Sequence, residues 1–496
     1  MNVKVLGIGI LLIVLWAVMA IAVPESFLSG NNIENLLRRT AMYGILGIGV
    51  SFVIITAGID LSIGSIVCFS ACLLTIFLKV DYEPFDGMEV LSVEPEAKTI
   101  VLKGQDNGLS SGDHVRYYGG RRARSALVKI TSVETHTFKT EDKKSVQATR
   151  LTVDGLTGNS DRRGTIARVY IIKNTGMDGD STTVTLAGQH GNLAARDRVT
   201  FIHPDSGLSD LGIAGISVSG GNTVVSLAGE MGSVTSEWLA MPFERRQRMP
   251  VFFALLLVLG AGLILGMCHG LLVTKLKLQP FVVTLCGLLF YRGISRWSVN
   301  DQTVGMGNEY DASLAPLASG KFVLWGEFGI PYPFFILVIV AIMAAIFLNR
   351  TIYGRYMLAL GRNEEAARFS GINTDRMTIV AYIICTGLAA LGGILFAIDS
   401  NSVAPSSFGN FFELYAIAAA VLGGCSLRGG EGGILGVVIG TAVMQTLYNL
   451  IVLLKISDTL EFAIIGMVIL LGVIADEVIK RAVAQRRQVK QADSIK

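Results

Sequence analysis

Charge is scarce in this chain: only 16% of its 496 residues are Asp, Glu, Lys or Arg, and histidine occurs five times. With the histidines scattered, a metal site has little to stand on, and no cofactor is expected in this chain. The six cysteines, at positions 68, 72, 268, 286, 385 and 425, all fall in or beside apolar runs. None lies in the large polar region, which excludes a disulfide-stapled extracellular domain and argues against a thiolate metal site. No Gly-rich loop ending in Gly-Lys-Ser/Thr is present, so the chain lacks a phosphate-binding motif of its own. The formal net charge of +3 identifies no partner, and no nucleic-acid partner is expected.

What the chain has instead is apolar sequence. Hydrophobic residues make up 51% and the mean hydropathy is +0.55, values out of place in a soluble chain of this length. They cluster in runs over 6–22, 41–57, 61–78, 251–273, 333–348, 379–398, 414–424, 434–454 and 462–474, with a weaker tenth over 281–289. This is the pattern of an all-α polytopic membrane protein of about ten transmembrane helices, embedded in lipid. Several runs are shorter than a 30 Å crossing needs. Glycines inside the runs, among them Gly44, Gly47, Gly262, Gly266, Gly392 and Gly393, allow close helix packing where no hydrophobic drive assists association. The first run has no small-x-small cleavage site followed by a soluble protein, and is read as a retained span.

Between residues 81 and 249 the character changes. Charges, Gly-Asp turns and β-branched alternation, as in Lys98-Thr-Ile-Val-Leu-Lys103 and Thr182-Thr-Val-Thr-Leu186, predict a small all-β insert. Leu102-Lys-Gly-Gln-Asp-Asn-Gly-Leu109 followed by Gly112-Asp-His-Val115 is echoed by Leu186-Ala-Gly-Gln-His-Gly-Asn-Leu193 followed by Arg196-Asp-Arg-Val199. Two related β units explain this, and so does coincident turn chemistry. His114, His136, His190 and His203 show no metal or nucleophile spacing, so the insert suits binding or a steric role better than chemistry. The chain thus divides into helices over 1–80, the insert over 81–249, helices over 250–480 and a basic tail over 481–496.

Charge bias assigns the sides. Arg350, Arg355 and the tail residues Lys480, Arg481, Arg486 and Arg487 are expected in the cytoplasm, with both termini. Counting back through the runs places Lys275 and Lys277 inside and the insert on the outer face. Arg38, Arg39, Arg245, Arg246 and Arg248 run against that count.

Three places carry the functional expectation. Asp60 and Ser62 interrupt an apolar stretch, and a carboxylate there must be hydrogen-bonded, paired or wet; it either caps a broken helix or meets a polar solute. Glu413 opens a second such element containing Tyr415 and ending at Gly423 and Gly424, and it is open to the same two readings. Breaks of this kind leave backbone groups that must face protein or a water-filled path. The third place is polar and helix-prone, Gly361-Arg-Asn-Glu-Glu-Ala-Ala-Arg-Phe-Ser-Gly371, held between two apolar runs. It is either a surface helix for a partner, with Phe369 as apolar contact, or a solvated loop.

Five stretches in this order carry a family resemblance: Gly58-Ile-Asp-Leu-Ser-Ile-Gly-Ser65, Leu278-Gln-Pro-Phe-Val-Val-Thr-Leu285 with Tyr291-Arg-Gly293, Tyr353-Gly-Arg-Tyr356, residues 361–372, and Tyr415-Ala-Ile-Ala-Ala-Ala-Val-Leu-Gly-Gly424. Over residues 1–80 and 250–480 the chain resembles the permease subunit of bacterial ATP-binding-cassette importers of the ribose, xylose and galactose class, in the branched-chain amino acid permease superfamily. That resemblance implies a multi-pass inner-membrane protein paired with a second permease subunit as a homodimer, and a periplasmic or lipid-anchored solute-binding protein. It also implies a cytoplasmic ATPase that holds ATP and Mg. Asn363, Glu364, Glu365, Ala366, Ala367, Arg368, Ser370 and Gly371 then belong to the coupling helix that docks into the ATPase. This chain would itself be no enzyme. The β insert departs from the family pattern. An ion-coupled secondary transporter using Asp60 and Glu413, and a membrane scaffold built around the insert, are the alternative readings.

Overall fold

The computed structural model describes residues 3–457, 460, 463–464, 466–467, 470 and 474, apart from short segments between 85 and 238 and residues 326–327. The chain separates into two compact units, residues 1–79 with 249–496, and residues 80–248.

The first unit is helical: α1 (Val3–Ala22), α2 (Pro24–Phe27), α3 (Gly30–Ile55), α4 (Ile63–Leu78), α5 (Val251–Lys275), α6 (Pro280–Ser298), α7 (Pro316–Ser319), α8 (Tyr332–Arg350), α9 (Ile352–Arg362), α10 (Glu364–Phe369), α11 (Thr374–Ser400), α12 (Phe412–Leu422) and α13 (Ile434–Leu453). Among the described residues six helices, α1, α3, α5, α8, α11 and α13, are long and apolar enough to cross a membrane. This is fewer than the ten expected. Two of the runs, α4 and α12, are shorter apolar helices because the chain breaks before each one. The 281–289 run lies in α6, which carries Arg292 and Arg296, and much of the 462–474 run lies outside the described residues.

Glycine sets how closely these helices approach. On α5, Gly262, Gly266 and Gly270 recur every fourth residue and so form one stripe. A Cβ on Gly262 would lie 2.5 Å from the Ala390 Cβ, one on Gly266 2.6 Å from the Tyr382 oxygen, and one on Gly270 2.6 Å from the Ile379 Cα. The rising numbers on α5 meet falling numbers on α11, so the two helices are antiparallel and nearly in backbone contact.

The same pairing fixes two ends of the helical unit. At one end Lys275, closing α5, donates to Asp375 at the start of α11 (2.8 Å), next to α10. At the other, just beyond Ser400, Val304 and Val403 form a β-bridge, and the Tyr310 hydroxyl donates to the Leu78 carbonyl (2.8 Å). The chain leaves the helical unit after Leu78 and returns at Val251, the α5 terminus remote from Lys275.

The second unit is all β. Its strands are β1 (Val80–Pro84), β2 (Met88–Glu94), β3 (Thr99–Lys103), β4 (His114–Gly119), β5 (Ala126–Lys139), β6 (Ser145–Asp154), β7 (Gly164–Arg168), β8 (Tyr170–Asp178), β9 (Ser181–Leu186), β10 (Arg198–His203), β11 (Gly207–Ser219), β12 (Asn222–Ala228) and β13 (Leu239–Gln247). Among the described residues the helical unit adds the hairpin β14 (Lys321–Trp325) and β15 (Phe328–Pro331). Strands β2–β7 close into a barrel in the order β2-β3-β6-β5-β4-β7. Strands β8–β13 pair in the order β8-β9-β12-β11-β10-β13, and β13 returns to β8. Adding six to each strand number of the first ring gives the second.

The duplication extends to single hydrogen bonds. The Ile130 N–H donates to the Asp113 carbonyl (2.9 Å), and the Ile213 N–H to the Asp197 carbonyl (2.7 Å). Asp113 and Asp197 are the aspartates of the sequence echo; parts of that echo, including residues 105–107 and 187–192, lie outside the described residues. Each ring is filled by its own apolar side chains, Val115, Tyr117, Ile130 and Leu151 in the first, and Val199, Phe201, Ile213 and Leu227 in the second. The entering strand β1 pairs with the leaving strand β13, Val80 opposite Gln247. With its ends joined and two cores of its own, residues 80–248 expressed alone are expected to fold. Far-ultraviolet circular dichroism should give a β spectrum with a cooperative thermal transition. An unfolded spectrum would show that the helical unit is required.

Candidate functional site

The polar stretch between α9 and α11 is built by caps. Asn363, extended at φ −160°, ends α9, and its side chain accepts from the Ala366 N–H (2.9 Å) to start α10. The expected helix over 361–372 is therefore shorter, Glu364–Phe369, with Gly361 and Arg362 closing α9 instead. Glu364 and Glu365 stand in its first turn and Arg368 in its last, the arrangement the helix dipole favours. Arg368 donates to Glu364 (2.8 Å) and Thr374 (3.2 Å), and the Ser370 hydroxyl donates to the Ala366 carbonyl (2.9 Å). Gly371, at φ +82°, turns the chain where a side chain would be strained, and Asn373 then caps α11.

One face of α10 is anchored and the other is open. Ala367 is buried, whereas Phe369 is 92% exposed and Glu365 is exposed. A cleft of about 450 Å³ runs beside it, lined by Arg355, Leu358, Arg362, Asn363, Ala366 and Ser370. The end of α9 is packed on backbone: the Gly430 N–H donates to the Ile55 carbonyl at the end of α3 (2.9 Å), and a Cβ on Gly361 would overlap that carbonyl oxygen. The helix therefore presents an exposed phenyl ring between charged side chains.

The second assembly lies where α4 and α12 begin. Asp60 is fully buried, and its Oδ1 accepts from the Ser62 N–H (2.9 Å) and hydroxyl (2.6 Å). The preceding residue is held by side chains of other helices, since the Ile59 carbonyl accepts from Thr284 (3.3 Å) and Tyr382 (3.4 Å). Glu413, in the first turn of α12, is buried against α4 and accepts from the Gly64 backbone. A Cβ at Gly64 would strike both the Gly409 carbonyl and the Glu413 carboxylate. Each carboxylate thus meets N–H groups left open at the start of α4, Asp60 locally and Glu413 from across the fold.

Arg292 on α6 ties down the loop before α12. Its guanidinium donates to the Pro405 (3.1 Å) and Phe408 (2.5 Å) carbonyls, supplying bonds the broken backbone lacks in lipid. Tyr415, Gly423 and Gly424 do not join this cluster. Tyr415 packs on the Tyr43 ring (5.7 Å between centroids), and Gly423 and Gly424 close the far end of α12, where a Cβ on Gly423 would lie 2.6 Å from the Gly436 backbone.

Sequence reasoning did not single out His269, and it met Arg292 only within the family stretch Tyr291-Arg-Gly293, with no role of its own. His269 is 2% exposed and shares a 2.7 Å hydrogen bond with the Tyr291 hydroxyl. The available signal was a titratable side chain inside an apolar run, the same signal that marked Asp60.

Residues 199–473, more than half of the chain, match the family described as branched-chain amino acid transport system / permease component. The chain belongs to this family of ABC-importer permease components. It is 39% identical over 226 residues to the ribose import permease protein RbsC of Escherichia coli K12, covering 46% of this chain and 68% of the relative. Identity is 34% over 264 residues to the RbsC protein of Haemophilus influenzae Rd, covering 53% and 77%. Identity to the xylose transport system permease protein XylH of the same organism is 28% over 307 residues, covering 51% and 80%. No solved structure matches the chain.

Proposed function

We propose that this chain forms the membrane pathway of an ATP-driven importer for a pentose or similar small sugar, in the bacterial inner membrane. The observation that carries the reading is the identity to ribose permeases joined to a capped, solvent-exposed α10. On this reading Asn363 to Gly371 dock into a cytoplasmic ATPase, which holds ATP and Mg, and closure of two ATPase subunits drives a pair of permeases between outward and inward openings. The partner permease is a second copy of this chain, and a periplasmic or lipid-anchored binding protein delivers the solute. Among the described residues nine helical segments enter the membrane when α4, α6 and α12 are counted with the six long helices.

If α10 is cytoplasmic, the opposite end of the helical unit faces outward. That end includes Leu78 and Val251, the two points from which the β insert departs, and this supports an outer-face insert. Asp60, Ser62 and Glu413 are structural caps beside the pathway, and the broken helices they hold line it. The ion-coupled alternative has no separate observation in its favour.

Two measurements test the reading. Affinity-tagged permease from native membranes is expected to copurify an ATP-binding-cassette ATPase, and ATP-dependent uptake into proteoliposomes carrying the complex should be seen with ribose, xylose or arabinose. Single cysteines placed in the insert should react with a membrane-impermeant maleimide from the periplasmic side, while one at Glu365 should not. Absence of an ATPase, or the reverse labelling, would refute the corresponding part.

A further inference from the structure

The β14–β15 hairpin is tied down at its base and bare beyond it. Glu34, buried on α3, accepts from the Lys321 ammonium (2.9 Å) and from the Gly329 N–H (2.8 Å). The Tyr332 N–H, opening α8, donates to the Gly320 carbonyl (3.0 Å). Past that tie Phe322, Val323 and Leu324 are 54–56% exposed. Successive residues of a strand point to opposite faces, so Phe322 and Val323 leave both faces of β14 uncovered. A lone two-stranded hairpin is marginal in water even without such side chains on show, so an apolar cover is required.

The place of the hairpin in the fold identifies that cover. β15 runs directly into α8, one of the six helices long enough to cross a membrane, and α8 leaves Phe335, Ile339, Ile342 and Ile346 exposed. Arg38 joins the hairpin end to the α11 terminus, donating to the Ser319 carbonyl (3.5 Å) and pairing with Asp399 (3.6 Å). At this same end Tyr332 opens α8 and Trp297 stands near the end of α6, both exposed, beside the solvent-facing Arg296–Asp301 ion pair (2.6 Å). Tyr and Trp collect at membrane–water interfaces, where the ring is in an apolar zone and the polar group stays wet. Depth is limited as well. Among the described residues β14 pairs with β15 alone, so its outer edge shows backbone groups that hydrocarbon cannot satisfy but headgroups and water can.

We propose that the β14–β15 hairpin is an interfacial anchor, with Phe322, Val323 and Leu324 seated at the boundary between lipid headgroups and acyl chains. What holds it is apolar burial rather than a headgroup charge, because Lys321, the one cation of β14, is engaged by Glu34. Through Glu34 the seated hairpin keeps the joined ends of α3 and α8 at the membrane surface. This anchoring depends on the membrane-spanning fold and not on the solute, the ATPase or the side on which the insert lies.

The test uses purified permease in vesicles of phosphatidylcholine alone, with neither ATPase nor solute present, so its result stands apart from the importer assignment. Val323→Cys, with the two exposed native cysteines removed as Cys268→Ala and Cys286→Ala, is labelled with an environment-sensitive nitrobenzoxadiazole dye. Interfacial segments lie about 5–10 Å into the headgroup–acyl boundary, so a nitroxide carried high on the lipid chain should quench the dye about twofold more than one near the chain end. Aqueous iodide should quench it weakly, and high salt should leave the lipid quenching unchanged. Adding Phe322→Asp should reverse the order, with iodide then outweighing lipid. Leu324→Cys is the second label position if Val323→Cys does not insert. Dominant iodide quenching without Phe322→Asp would leave the hairpin in water, open to a soluble partner, and overturn the anchor. Stronger quenching from the chain end overturns it too. So does protection from every quencher, and disulfide cross-linking of the Val323→Cys variant between copies would then assign the surface to a second permease.

Discussion

Phe369→Asp is expected to abolish ATP-driven uptake while leaving the permease folded in the membrane. The ring is 92% exposed, so its removal opens no cavity and the helical unit should keep its thermal transition. Its place on α10 is fixed by the Asn363 cap on one side and Gly371 on the other, so the ring is presented rather than mobile. Aromatic anchors at the centre of protein interfaces contribute about 2–4 kcal/mol, which corresponds to roughly 30- to 1,000-fold in affinity. Putting a carboxylate there adds a charge to be desolvated. The measurement is ATPase retention on immobilised permease, together with uptake in proteoliposomes. Wild-type retention with normal uptake would remove α10 from the coupling role.

Gly64→Val should be the most damaging single change inside the helical unit. Its Cβ would run into the Gly409 carbonyl and the Glu413 carboxylate, and Gly409 itself sits at φ +74° against the Gly64 carbonyl, so neither chain has an easy way to retreat. Overpacking of this kind costs about 1–3 kcal/mol, and loss of the Glu413 bond to the α4 start adds a buried unsatisfied group worth about 1–3 kcal/mol. The expected result is loss of folded protein in detergent, measured by size-exclusion profile and thermal melting. Gly260→Val is the control: it is also a glycine in an apolar helix, but nothing lies within 4 Å of its Cβ, and it should behave as wild type. Equal behaviour of the two variants would mean that the α4–α12 contact does not hold the fold together.

Much of this was legible in the chain because it depends on local pattern. Long apolar runs announce membrane helices wherever they pack, and β-branched alternation between Gly-Asp turns announces strands. A carboxylate in an apolar run announces a break, and Asp60 and Glu413 both mark one. The number of full crossings was not legible, since a run such as 61–78 reads as a span until the neighbouring helices show that α4 starts against Gly409 and Glu413, inside the fold.

The sequence by itself determined that this protein is a membrane permease carrying a β-rich insert, because hydropathy, strand alternation and the family motifs are properties of contiguous residues. Only the tertiary structure decided what the buried polar groups do. Glu413 meets Gly64, Arg292 meets the 405–408 carbonyls, and Asp60 and His269 are left with one free atom each. Hydrogen bonding and charge balance depend on distance in space, and residues remote in sequence acquire that distance only when the helices pack.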